Sequence, residues 1–222
     1  LDAEQYAAVR EAMRGRMIPD AYGKSRVCNL YFDTPDFRII RRSLEKPVYK
    51  EKLRLRGYGP VGADGTVFAE LKKKYQSVVY KRRATMTRDG AKEFFRAPDP
   101  HTQLERELAY FLTVNPTAEP MIWLSYAREA FFGANNPDFR MTFDTDVLAR
   151  WDDLTLGGGI YGAPVLPQGK VLMEVKVADA MPLWLTNTLS AAGIRPTSFS
   201  KYGTAYLQRQ ETGLLTGGQH YA

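Results

Sequence analysis

Residues 50–56 read Lys50-Glu51-Lys52-Leu53-Arg54-Leu55-Arg56, and few arrangements accommodate that alternation. Side chains on an extended strand point in turn to its two faces, so Lys50, Lys52, Arg54 and Arg56 share one face. Leu53 and Leu55 take the other, with Glu51. Cations stacked along one face repel one another unless water or an anion compensates them. Taken alone, this strand fits equally well a sheet edge with its wet face outward, so the argument depends on whether the pattern recurs.

It recurs. Glu70, Lys72 and Lys74 share a face of the next strand, and Lys81 and Arg83 share one of the strand after it, with Arg82 opposite. Around residues 126–128 the polar face is Tyr126 and Arg128. Arg140, Thr142 and Asp144 stand together against Met141 and Phe143. In 171–177, Glu174 and Lys176 interrupt an apolar set made of Val171, Met173, Val175 and Val177. Charged side chains are seldom buried unless paired or functional. We therefore expect the apolar faces to pack under helices and the charged faces to line a wet barrel interior. The chain carries 31 Lys and Arg against 25 Asp and Glu, a net charge of +6, which favours an anionic partner. Arginine matches phosphate oxygens with its planar fork and lysine adds point charge, while a carboxylate can hold Mg²⁺ or Mn²⁺ against them.

Helical periodicity and caps predict helices over 2–17 (N-cap Asp2), 37–43, 89–95, 102–112 (a capping box from Thr102 and Glu105), 182–192 and 201–209. Strands are expected at 27–32, 48–57, 67–75, 78–87, 121–131, 139–147 and 170–178. Short turns join most of them, which predicts an α+β fold: an antiparallel β-barrel tunnel with helices packed outside, in one domain over 1–222 and a loose tail from 212. No run of 18 apolar residues and no secretory pattern is present. The single cysteine, Cys28, reads as a buried small hydrophobe in a reducing, cytoplasmic setting. His101 and His220 lack metal-ligand spacing, and Trp123, Trp151 and Trp184 read as packing anchors. Gly157-Gly158-Gly159 reads as a flexible loop; it does not match a Walker motif.

Tyr31-Phe32-Asp33-Thr34, Lys50 to Arg56, Glu70 to Lys74, Val79 to Arg83, Tyr126-Ala127-Arg128, Arg140 to Asp144, Glu174-Val175-Lys176 and Ser198 to Tyr202 together resemble the VTC (vacuolar transporter chaperone) domain. This is a polyphosphate polymerase family among the triphosphate tunnel (CYTH-like) metalloenzymes. The resemblance implies a basic tunnel in which the γ-phosphate of ATP is transferred to a polyphosphate chain with Mn²⁺ or Mg²⁺. It implies catalytic roles for Arg54, Arg56, Lys72, Arg128 and Arg140. Phosphate contacts would come from Lys81 or Arg82, Lys176, Ser200 and Lys201, joined by Lys52 on the face of Arg54. Glu174 would hold the metal, with Glu70 or Asp144 beside it. The Glu-x-Glu-x-Lys strand with which such enzymes usually begin does not precede the first helix, so a domain lacking its first strand is expected. Ser198 stands where some members carry a lysine.

The partners so implied are ATP and polyphosphate or pyrophosphate. Hydrolysis of triphosphate or another short phosphoanhydride needs the same cations, and a non-catalytic polyphosphate-binding module remains open. Aromatic residues on the charged faces are few (Phe68, Tyr80 and Tyr126), which argues against nucleic acid.

Overall fold

The computed structural model describes residues 1–76 and 78–213. The tail expected from residue 212 falls, beyond residue 213, outside them, as does His220. The elements in chain order are α1 (Ala3–Ala12), β1 (Met17–Asp33), α2 (Arg38–Leu44), β2 (Tyr49–Tyr58), β3 (Thr66–Tyr75), β4 (Val78–Thr87), α3 (Arg88–Arg96), α4 (Gln103–Val114), β5 (Glu119–Gly133), β6 (Asn136–Arg150), β7 (Ala163–Pro164), β8 (Leu172–Lys176), α5 (Leu183–Ala191) and α6 (Lys201–Glu211).

The caps explain the helix boundaries. The Asp2 carboxylate accepts from the Gln5 N–H and the Gln5 side chain accepts from the Asp2 N–H. Thr102 and Glu105 form the same reciprocal box at α4. The first helix is shorter than expected. It gives way to a turn in which Gly15 adopts φ +70°, and by Met17 the chain is already extended. Consequently β1 is much longer than the 27–32 stretch that its apolar residues mark: residues 18–25 are mostly exposed, and the buried half begins at Val27.

The strands pair in the order β4-β3-β2-β1-β5-β6-β7, with β8 also on β6. Among the described residues the ladder is thus an open path rather than a closed hydrogen-bonded barrel. Residues 140–144 of β6 pair with β8, and only Leu148 and Ala149 are left for the two-residue β7. Contacts group the chain into two compact units, one made of Leu1–Arg26, Tyr126–Val147 and Leu166–Phe199, the other of Val27–Ser125, Leu148–Val165 and the residues from Ser200 onward. β1, β5 and β6 contribute residues to both.

The second unit has a core of Leu30, Phe32, Leu53, Leu55, Val67, Ala69 and Leu71 on the strands, packed with Ala91, Leu108 and Phe111 of the helices and with Trp123. Each fully buried leucine here contributes about 2 kcal/mol. Cys28 is buried in it, with its sulfur 3.7 Å from Ser125 Oγ. In the first unit the core is Val9, Met13, Met17, Phe131, Phe139, Met141, Phe143, Val171 and Leu185. Among the described residues no helix is long and apolar enough to cross a membrane.

β8 departs from expectation. It spans five residues instead of nine, Val177 lies beyond it and is exposed, and its charged face is open, with the Lys176 side chain 68% exposed. Among the described residues its one strand partner is β6.

Candidate functional site

The antiparallel register of β2, β3 and β4 turns three alternating sequences into a grid. One rung is Lys52–Lys72–Lys81 and the next is Arg54–Glu70–Arg83. Directly opposed side chains on such rungs have Cβ atoms about 5 Å apart. The other faces of the same strands carry Leu53, Leu55, Val67, Ala69 and Leu71, which the core claims. That burial holds the charged side chains on the opposite face.

Glu70 is the centre of the second rung. Its side chain is 1% exposed and receives cations from both flanking strands. Oε2 accepts from Arg54 Nε at 2.8 Å and NH2 at 2.7 Å, and Arg56 Nε lies 3.7 Å away. Oε1 accepts from Lys81 Nζ at 2.8 Å and from Arg83 Nε and NH2 at 2.8 and 2.5 Å. Burial opposes its ionisation, but the charges of Arg54 and Arg56 and the hydrogen bonds from Lys81 and Arg83 outweigh it and hold its pKa far below the usual carboxylate range.

The lysine rung is the opposite case. Lys81 reaches Glu70, whereas among the described residues neither Lys52 nor Lys72 has a carboxylate at ion-pair distance. Burial and the neighbouring Lys50 and Lys72 lower the Lys52 pKa to about 8, against the raising influence of Tyr31 and Asp33.

β1 completes this side. Tyr31 and Asn29 pair in register with Arg54 and Arg56. Tyr31 Oη accepts from Arg54 NH1 at 2.7 Å, and Asn29 Oδ1 accepts from Arg56 Nε at 3.0 Å. Burial would raise the Tyr31 phenol, but Arg54, Arg56 and Lys52 bring it down to about 8. Asp33, fully buried, accepts from the N–H groups of Thr34, Ile39 and Ile40 and from the Tyr202 hydroxyl at 2.8 Å. That last bond fixes the start of α6, where Ser200 is the N-cap and Lys201 the first residue. Ser200 Oγ accepts from the Gly203 N–H, which leaves its own O–H free to donate.

The first unit carries a second set. Arg128 on β5 grips Asp144 on β6 with Nε–Oδ1 2.6 Å and NH2–Oδ2 2.8 Å, and lies 3.9 Å from Glu174 on β8. Burial would lower the Arg128 pKa, but the bonded Asp144, with Tyr126 and Glu174, raises it. Arg140 is exposed and pairs in register with Lys176; Thr142 pairs with Glu174. Among the described residues Thr142 Oγ1 is buried without a hydrogen-bond partner.

Three carboxylates were named as metal candidates, and they differ. Both Asp144 oxygens accept from Arg128. Both Glu70 oxygens are filled by arginine and lysine donors, so that group does not fit a cation ligand. Glu174 is half-exposed, 3.5 Å from Lys176, and opposite the unsatisfied Thr142 hydroxyl. A hard divalent cation that keeps waters and takes one protein carboxylate together with phosphate oxygens fits this donor set. Among the described residues no three His, Cys, Asp or Glu side chains gather into a metal-ligand cluster.

The structure brings together Lys52, Arg54, Arg56, Lys72, Lys81 and Glu70 in one unit, and Arg128, Arg140, Glu174 and Lys176 in the other. Arg82 stands apart: with Lys73 it reaches Glu107 of α4, at 3.1 and 3.3 Å, on the helix-covered face. Arg83 takes the place by Glu70, as strand parity from Lys81 requires. Roles for Tyr31, Asn29, Tyr202 and Arg150 were not read from the sequence. Arg150, 3% exposed, donates to the carbonyls of Asp153, Thr155, Gly159 and Tyr161 and stacks over Trp123. The triple-glycine segment is therefore a stapled loop, and a Cβ at Gly157 would come within 2.1 Å of Arg88 NH1.

An antiparallel sheet packed with helices, with arginine and lysine rungs on one face of β2, β3 and β4, defines an α+β protein with a basic strand face. A model of the VTC domain family matches residues 1–209, and the chain belongs to that family. Among the solved structures similar to it are two whose likeness extends over most of both chains. One is a proposed adenylate cyclase from Bacillus halodurans, with a TM-score of 0.56 and 13% identity over 90% of this chain and 89% of that one. The other is a proposed adenylyl cyclase from Hippeastrum, described as having a dominant triphosphatase activity, with a TM-score of 0.50 and 14% identity over 100% of this chain and 96% of that one. At these identities the likeness is one of fold. No curated protein matches the chain.

Proposed function

We propose that this VTC domain acts on phosphoanhydrides, as a polyphosphate polymerase that moves the ATP γ-phosphate onto a phosphate chain. The observation that carries the reading is the Lys52–Lys72–Lys81 rung beside Arg54, Arg56 and Arg83. Lys52 and Lys72, with no carboxylate at ion-pair distance among the described residues, stand beside four cations that share Glu70, and such a dense set of cations on one strand face suits an anion with many oxygens. Arg54, Arg56 and Lys72 neutralise phosphate oxygens in one unit, and Arg128, Arg140 and Lys176 do so in the other. Lys52, Lys81, Lys201 and the Ser200 hydroxyl bind further oxygens. Phosphoryl transfer needs placement and charge neutralisation more than covalent chemistry from the protein, and these groups supply both.

Glu174 would hold Mn²⁺ or Mg²⁺, which when bound adds positive charge between phosphate oxygens. Both Glu70 oxygens already accept from arginine and lysine, which supports Glu174 over Glu70 in that role. A second reading, hydrolysis of triphosphate, is favoured by the description of the Hippeastrum neighbour. The two differ only in the acceptor: a phosphate-chain end or water.

Incubation with ATP and Mn²⁺ or Mg²⁺, followed by gel analysis for polyphosphate and an assay for released phosphate, tests this. Chains formed by the natural protein and lost in Glu174→Ala and Arg54→Ala establish the polymerase. Released phosphate without chains establishes the hydrolase. Binding of polyphosphate with no turnover of ATP rejects both catalytic readings in favour of a binding module.

A further inference from the structure

We infer that Glu70 is a built-in counter-ion that occupies an anion position among Arg54, Arg56, Lys81 and Arg83, presetting these cations for phosphate while weakening their hold on it. The inference rests on the phosphate reading above and adds to it a positioning residue that sets affinity against turnover.

Three observations lead there. First, Glu70 sits on the middle strand of three, so each of its oxygens collects donors from a different neighbour: Oε2 from β2 and Oε1 from β4. Second, the cations are oriented by more than this carboxylate. Arg54 also donates to Tyr31 Oη, Arg56 to Asn29 Oδ1, and the Arg83 guanidinium stacks 4.6 Å over the Phe68 ring. Each fork is thereby pinned on one side, while Lys81 and Arg83 remain partly open to solvent. Third, four cations converge on this one carboxylate, and Lys81 and Arg83, 43% and 37% exposed, present the cluster to solvent on the β4 side. Glu70 thus does what one phosphate oxygen pair would do: it holds the forks convergent before a ligand arrives, and it competes with that ligand for the same donors.

A counter-ion of this kind has a signature that a merely structural residue lacks. Glu70→Gln keeps the shape, removes the negative charge and turns an NH₂ toward cationic donors. The cluster gains charge and loses order. Tripolyphosphate binding, measured by calorimetry without metal, should tighten on the order of tenfold, the scale of one charge-assisted hydrogen bond, and become more salt-dependent. Turnover of ATP with Mn²⁺ or Mg²⁺ should fall by at least roughly tenfold at saturating substrate, while the thermal unfolding transition stays cooperative. Glu70→Asp should restore the natural affinity more than the natural rate, because its carboxylate is retained but one methylene short.

The outcomes separate cleanly. If the natural protein binds no tripolyphosphate, the phosphate reading falls and takes this inference with it. If it binds, and Glu70→Gln binds equally or more weakly with its fold intact, the counter-ion role alone is overturned. Loss of Mn²⁺ affinity in the variant, at unchanged metal-free tripolyphosphate binding, overturns it in favour of a metal ligand. Should Glu70→Gln not fold, the Nε–H resonances of Arg54 and Arg83 in the natural protein decide. They move on adding tripolyphosphate if the ligand shares these donors with Glu70, and resonances that stay fixed while calorimetry reports binding overturn the inference.

Discussion

Arg128 and Asp144 meet as a two-pronged ion pair across adjacent strands, at 2.6 and 2.8 Å, with the Asp144 side chain 1% exposed. Removing one partner of such a pair strands the other charge, at a cost of about 3–5 kcal/mol. Asp144→Ala should destabilise the protein by that amount in urea unfolding. Asp144→Asn, which still accepts one hydrogen bond, should cost less. A change under about 1 kcal/mol for the alanine variant would mean that Glu174, 3.9 Å from Arg128, takes over.

Lys52 should make anion binding pH-dependent. Its folded pKa of about 8 lies below the ordinary lysine value of 10.5, so between those two pH values the unfolded chain binds more protons and the Lys52 contribution to stability rises with pH. Binding runs the other way. A phosphate chain favours charged Lys52, so affinity should fall as pH rises through about 8, with proton uptake on binding near that pH. Tyr31, also near 8, adds a negative charge over the same range. Calorimetry in two buffers of different ionisation heat measures the uptake. Lys52→Met should remove the lysine part and Tyr31→Phe the phenol part.

Tyr202→Phe removes one donor from the buried Asp33. The expected loss is about 1–3 kcal/mol. Burial already raises the Asp33 pKa, and losing the Tyr202 hydroxyl raises it further. The folded state then takes up a proton before the unfolded state does, so the penalty shrinks as pH falls from neutral through that raised pKa. Unfolding curves at pH 7 and near pH 5 test the sign. Because Tyr202 follows Lys201, the variant should also weaken polyphosphate binding.

Arg150→Lys keeps the charge and loses the fork that serves four loop carbonyls. A loss of at least about 2 kcal/mol is expected. Hydrogen exchange should quicken in residues 153–161. Unchanged exchange there would show that Val61, whose N–H donates to the Leu156 carbonyl, holds the loop unaided.

Much of the fold was legible from local signals. β4 lies at Val78–Thr87, as the alternation there indicates, and the N-cap at Asp2 and the box at Thr102 mark α1 and α4. Local signals were weaker where burial is partial. The exposed first half of β1 carries no apolar alternation, and β8 has the pattern of a buried strand but one partner. Strand parity also placed Arg83 with Lys81 and set Arg82 opposite. Motif matching left Lys81 and Arg82 as alternatives, and the ion pair of Arg82 with Glu107 shows why parity is the better guide on a strand.

The sequence by itself determined which side chains share a face, because a period of two residues is a property of the extended backbone and needs no partner. It also carried enough ordered motifs to place the chain in its family. Only the tertiary structure decided which charges meet. Glu70 finds Arg54 and Arg83 because two turns put three strands in one register, a shift of one residue being forbidden by the buried Leu53, Leu55, Ala69 and Leu71. Asp33 finds Tyr202 across 169 residues, and Arg150 finds the carbonyls of a loop that has no periodicity at all. Such pairings depend on register and loop closure, and these emerge only when the core packs.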